Sequence, residues 1–267
     1  MKDTWIQEHH RKIELLARTG MASKAVVYGT IGGLALQVAL SAGGQIQGKS
    51  GALKTLAGQP FGQFLLAALI VGFLGYALWR MIQGFYNTDS ESNDIKGLGK
   101  RGASIIRGVT YSALAVATTR LLVNGSGGSS AASKSEQAMN LPMGSLVLGL
   151  VAMGILVAGM FQFYKVIKGK YKEHLNLNAL SGSKQKLLNR AAQMGLSARG
   201  VVFCVIAFFL AKAALSQDGS QARGIGGALE SLSQQPYGTW VLGTIASGLV
   251  LFAIYEAFKA WYMELNF

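Results

Sequence analysis

Three residues able to carry charge or hydrogen bonds, Arg80, Gln162 and Glu256, stand twenty positions after the chain's three prolines, Pro60, Pro142 and Pro236. Brought to one height in an apolar setting, Arg, Gln and Glu form a charge-neutral, hydrogen-bonded cluster. An ionisable group within a membrane is by default a functional site. The competing reading is structural: Arg80 snorkels to headgroups while Glu256 pairs with Lys259 or with Arg80 and closes a bundle. A second set is Lys24, Arg107 and Arg199, each followed by a small residue, then Val, and at the fourth position an aromatic: Tyr28, Tyr111, Phe203. These read as headgroup anchors at helix starts, with a basic lining for an anionic ligand as the sharper alternative.

Other chemistry finds little support. The three histidines, His9, His10 and His174, all fall in polar connecting segments, so no paired axial ligands for an intramembrane haem are available. Cys204 is the only cysteine and has no thiol to pair with. The glycines of Asn124–Ser130, "NGSGGSS", lead into no Lys-Ser/Thr helix start and read as a flexible link rather than a phosphate loop. With no H-E-x-x-H or G-x-S-x-G motif either, the expectation is a protein without catalytic residues, metal or cofactor.

The elements that must position these residues are apolar. Only 14% of the 267 residues are charged, against about 25% in an ordinary soluble domain. Apolar runs at Met21–Ala42, Phe61–Trp79, Ile105–Leu122, Leu141–Phe163, Gly200–Leu215 and Tyr237–Ala260 approach or exceed the roughly 20 residues that cross a bilayer core as helix. They predict six membrane-spanning helices in a single membrane domain, 1–267. The first 19 residues have no apolar core of the kind a cleavable signal carries. They read either as an amphipathic helix on the membrane surface or as a solvated tail.

The spans are repeated. "GALKTLAGQPFG" at Gly51–Gly62 returns as "GALESLSQQPYG" at Gly227–Gly238, and every proline is followed two residues later by glycine: Gly62, Gly144, Gly238. An aromatic stands nineteen residues beyond each proline: Trp79, Phe161, Tyr255. Each repeat (20–88, 103–172, 190–264) therefore reads as helix A, a loop and helix B. Proline is expected in the first turn of helix B, where its missing amide hydrogen is not needed. Small-residue pairs, Gly29 with Gly33, Ala68 with Gly72 and Gly154 with Ala158, are expected at helix–helix contacts.

Basic residues set the orientation. With A helices leaving and B helices returning, the side that holds both termini carries 19 of the 25 Lys and Arg. The positive-inside rule then puts both termini in the cytoplasm, and topology accounts for the +13 net charge without nucleic acid. Three hairpins of one orientation are parallel repeats, most simply related by a pseudo-threefold axis along the membrane normal. The Lys/Arg-small-Val-Val-aromatic start of helix A and the Gly-Ala-Leu…Gln-Pro-Phe/Tyr-Gly start of helix B, from about Leu15 to Tyr262, resemble an uncharacterised bacterial membrane-protein family, domain of unknown function 1206. The middle repeat departs from it, with "SKSEQAMNLPMG" in place of the Gly-Ala-Leu. The resemblance implies this topology and a bacterial inner-membrane address, and it brings no catalytic residues. The reading is thus a non-enzymatic accessory, scaffold or partner-binding component, in contact with lipid and with another membrane protein or a second copy. The alternative is a small channel or transporter along the pseudo-threefold axis past Arg80, Gln162 and Glu256.

Overall fold

A computed structural model of the chain describes residues 2–40, 45–86, 95–125, 131–141, 143–172 and 182–262, with the side chains of 2–13, 95, 96 and 131 aside. Pro142 and His174 lie outside the described residues, as do the side chains of His9 and His10. The described residues form nine α-helices. Repeat 1 is α1 (Lys2–Ala39), α2 (Lys49–Ala57) and α3 (Gly62–Tyr86). Repeat 2 is α4 (Ile95–Asn124), α5 (Ala131–Met139) and α6 (Gly144–Ile167). Repeat 3 is α7 (Gly182–Ser216), α8 (Ile225–Ser233) and α9 (Gly238–Tyr262).

The A helices are longer than their apolar runs. α1 runs from Lys2, and residues 2–19 continue as one helix into the apolar part. α4 and α7 likewise begin at Ile95 and Gly182, well before Ile105 and Gly200. Lys, Arg, Glu and Gln are good helix formers, so hydropathy marks where each helix becomes apolar, not where it begins.

The prolines sit differently from expectation. α3 and α9 begin two residues after Pro60 and Pro236, at Gly62 and Gly238. The intervening residue cannot be helical: Phe61, Met143 and Tyr237 have φ of 61°, 61° and 59°, the left-handed region that costs a non-glycine residue roughly 1–2 kcal/mol. The glycine that follows is required by proximity. A Cβ on Gly62 would run into Ala57 O and lie 2.7 Å from Leu56 O, and Gly144 and Gly238 meet Ala138 O and Ser233 O in the same way. The Pro-x-Gly motif thus folds the short helix back against the first turn of helix B. It leaves Phe61, Met143 and Tyr237 exposed at one end of the molecule, where large apolar side chains suit a membrane interface.

α3, α6, α7 and α9 are long and apolar enough to cross a membrane. α1 and α4 have the length, 38 and 30 residues, but Lys24 and Gln37 in one, and Arg107, Arg120 and several Thr and Ser in the other, dilute their apolar stretches. Among the described residues the long helices pack in the order α4–α3–α1–α9–α7–α6. Every B helix packs on the A helix of the next repeat, α3 on α4, α6 on α7 and α9 on α1. Within a repeat, α1 packs on α3 and α7 on α9, but α4 and α6 are not packed along each other.

Small residues explain both facts. Gly20 lies against the Cβ of Tyr76, and Gly195 lies 2.5 Å, measured from a would-be Cβ, from Cα of Phe252. Gly72 meets Ser23 and Gly248 meets Ala198. These are corresponding positions of repeats 1 and 3, and they bring A and B backbones close. Repeat 2 has Ala103, Ile106 and Ala158 where the others have glycine, Ser or Ala, and Tyr or Phe. Its Gly154 has nothing within 4 Å of a would-be Cβ. The pair Gly154–Ala158 is therefore not a contact inside the bundle, unlike Gly72, and Gly33 also has open space.

Candidate functional site

The residues singled out by spacing converge near the end of the bundle where the B helices finish. Lys24 is 6% exposed and its Nζ lies 3.5 Å from the ring centre of Tyr76 on α3 and 5.1 Å from that of Tyr111 on α4. Arg199 on α7 repeats the arrangement, 4.8 Å from Phe252 on α9, 5.4 Å from Tyr28 on α1 and 4.7 Å from Phe203. Each cation is thus held by an aromatic from its own B helix and by the fourth-position aromatic of the next repeat. A desolvated cation over an aromatic face gains about 2 kcal/mol or more, which offsets part of the cost of bringing the charge inside. Lys24 consequently points into the bundle and is not a headgroup anchor.

Arg107 is the exception. Its repeat offers Ala158 where the others have Tyr76 and Phe252. Among the described residues it makes no hydrogen bond, ion pair or ring-face contact, and its ionisable neighbours are Arg80, Arg199 and the hydroxyls of Tyr76 and Tyr111.

Arg80 donates from Nε to the Tyr76 hydroxyl at 2.9 Å and from a terminal nitrogen to Gln83 Oε1, and it lies 4.0 Å from the Trp79 ring. Gln83 Oε1 also accepts from Ser104 on α4 at 3.1 Å. Gln162 is buried on α6. Glu256 is 4% exposed and pairs with Lys259 at 3.5 Å; its other oxygen, Oε2, and Arg199 Nε are buried without a hydrogen-bond partner among the described residues. Arg80, Gln162 and Glu256 all reach this end, but no hydrogen bond or ion pair joins them. Glu256 thus pairs with Lys259 and not with Arg80.

The surroundings are strongly cationic. Lys24, Arg80, Arg107, Arg199, Lys259 and, on α6, Lys165 are linked through shared neighbours, with the Glu256 carboxylate beside Lys259, Lys24 and Arg199. Towards the far end the rings close the centre: Tyr111 packs edge-on against Tyr76 at 4.6 Å and tilts on Phe73 at 5.9 Å, while Tyr28 meets Phe252 at 4.9 Å. Lys49 at the start of α2 reaches the same rings from the other side, 5.9 Å from Tyr28 and 5.8 Å from Tyr111. Tyr76, Phe252 and Lys165 are the participants that proline spacing did not single out. Their signal is there: Tyr76 and Phe252 both stand sixteen residues after a proline, and Lys165 and Lys259 both stand twenty-three after.

A multi-pass, all-helical chain built of three tandem units, with a cation–aromatic centre, is the class of protein these features define. The chain belongs to the family described as Domain of Unknown Function (DUF1206), which matches it three times in succession, over residues 19–87, 103–169 and 194–263. It is 29% identical over 261 residues to the uncharacterized protein YxxB of Bacillus subtilis (strain 168), covering 97% of this chain and 94% of that protein. No solved structure matches it.

Proposed function

We propose that the chain is a six-span protein of the bacterial cytoplasmic membrane, with both termini inside, and a non-enzymatic accessory or partner-binding component. In this reading α1 and α4 span together with the four more apolar helices. The three repeats surround a pseudo-threefold axis that is complete in its B-to-A contacts and incomplete inside repeat 2. What supports the long A helices as spans is that Lys24 is buried and Arg107 is half-buried beside Arg80, Arg199, Tyr76 and Tyr111, while apolar residues such as Val26, Val109 and Val116 are outside.

One observation favours binding over conduction. The axis beyond the cationic residues is filled by the Tyr28, Tyr76, Tyr111 and Phe252 rings, four of the bundle's well-buried side chains. A pathway needs a continuous polar route, and rings packed edge to face interrupt it. Reconstitution in liposomes tests this. Chloride, phosphate and proton flux should match protein-free vesicles. Flux that Tyr111→Ala increases and Arg107→Gln reduces would instead establish the channel reading.

A further inference from the structure

We propose that the opening between α4 and α6 admits the headgroup of an anionic phospholipid, whose phosphate is held by Arg107 and Lys165; this rests on the membrane reading above. Three observations meet at that place. The opening is written into repeat 2 by Ala103, Ile106 and Ala158 in place of the small and aromatic residues that draw the A and B helices together in repeats 1 and 3. Ile106 is 68% exposed beside it, and Gly154 and Ala158 keep the facing side of α6 shallow. The flanking helices then each supply a cation: Arg107 from α4, lacking the aromatic cage given to Lys24 and Arg199, and Lys165 from α6, whose charged neighbours Lys259, Arg107, Arg80 and Arg199 are all cationic.

Uncompensated cations of this number are costly away from water, and the nearby carboxylate, Glu256, is already engaged by Lys259. A phosphate diester with a neutral headgroup supplies one negative charge and acceptor oxygens for the guanidinium. Its acyl chains need an apolar route to the site from the side. The exposed face of α6, with Val157, Met160 and Phe161, provides one. A helix of a second copy would fit the apolar slot but would leave Arg107 and Lys165 without a counter-charge.

The test uses the full-length protein purified in mild detergent, with bound lipid measured by native mass spectrometry. Phosphatidylglycerol, phosphatidylcholine and inorganic phosphate are titrated separately. Phosphatidylglycerol should be retained about ten-fold more strongly than phosphatidylcholine, which carries the same phosphate but also a quaternary ammonium that the surrounding cations repel. Arg107→Gln should remove that preference. Ala158→Phe, which keeps both cations but supplies the missing ring, should also remove it, while Lys212→Gln, exposed near the end of α7, should leave it unchanged. Thermal unfolding of each variant shows that the fold is kept. Retention unchanged in both Arg107→Gln and Ala158→Phe would overturn the proposal, as would displacement of the lipid by inorganic phosphate at comparable concentration. A dimer whose interface is lost in Ala158→Phe would also overturn it. Failure of the membrane reading itself would look different: every variant would stay in solution without detergent.

Discussion

Alanine at Gly248 and at Gly154 should have opposite effects, although the two glycines occupy the same position in their repeats. At Gly248 the added methyl carbon overlaps Cβ of Ala198 and lies 3.3 Å from the Met194 carbonyl oxygen, where carbon atoms rest about 3.5–4.0 Å apart. Both colliding carbons are fixed to helix backbones, so no rotamer change relieves the overlap and α9 must move off α7. Overpacking of this kind costs roughly 1–3 kcal/mol, and the upper end applies here. Alanine regains about 1 kcal/mol of helix propensity over glycine, leaving a net loss of about 2 kcal/mol. At Gly154 a Cβ meets nothing within 4 Å, so only the propensity gain remains, up to about 1 kcal/mol. Equilibrium unfolding in mixed micelles should therefore separate the two variants by about 3 kcal/mol. Adding Ala198→Gly to Gly248→Ala removes the colliding methyl and should recover most of the loss, a non-additivity confined to neighbours. If Gly154→Ala is destabilised as much as Gly248→Ala, α6 is packed along α4 and the account of repeat 2 is wrong.

Glu256→Gln removes the carboxylate from among the cations and should cost about 3–5 kcal/mol of unfolding free energy, as breaking a buried pair does. The double variant Lys259→Met/Glu256→Gln should lose less than the single one, and Arg80→Met with Glu256→Gln should show a smaller non-additivity, since the two side chains make no contact but share Lys24 as a neighbour. Gly62→Ala and Gly238→Ala should each lower the melting temperature, because the methyl would enter the carbonyls of Ala57 and Ser233. Phe61→Gly and Tyr237→Gly should relieve about 1 kcal/mol of left-handed strain each, read in detergent, where their exposed side chains matter least.

Repetition was the legible part of the fold. Proline, glycine and aromatic spacing mark the three repeats and put Arg80, Gln162 and Glu256 at equivalent positions of α3, α6 and α9. What spacing could not supply was the direction of side chains. Lys24 has the same neighbours in sequence whether it snorkels outward or lies under Tyr76, and only packing of α1 between α3 and α9 decides. Helix starts escape hydropathy for a related reason: charged residues that end an apolar run do not end a helix, as Lys2–Gly20 shows. The exceptional repeat was visible as Ala103, Ile106 and Ala158, but each is an ordinary membrane-helix residue. Their meaning appears only when Gly20 is seen against Tyr76 and Gly195 against Phe252.

Whether α1 and α4 cross the membrane decides the six-span reading, and cysteine accessibility in intact bacterial cells measures it most directly. Lys54, Glu136 and Glu230 are exposed on α2, α5 and α8, one in each A-to-B connection, and Ser183 is exposed at the start of α7. In a Cys204→Ala background, Lys54→Cys, Glu136→Cys and Glu230→Cys should all react with an impermeant maleimide added outside, and Ser183→Cys should react only after the cells are opened. Protection of Lys54→Cys or Glu136→Cys, or labelling of Ser183→Cys from outside, would contradict the six-span arrangement.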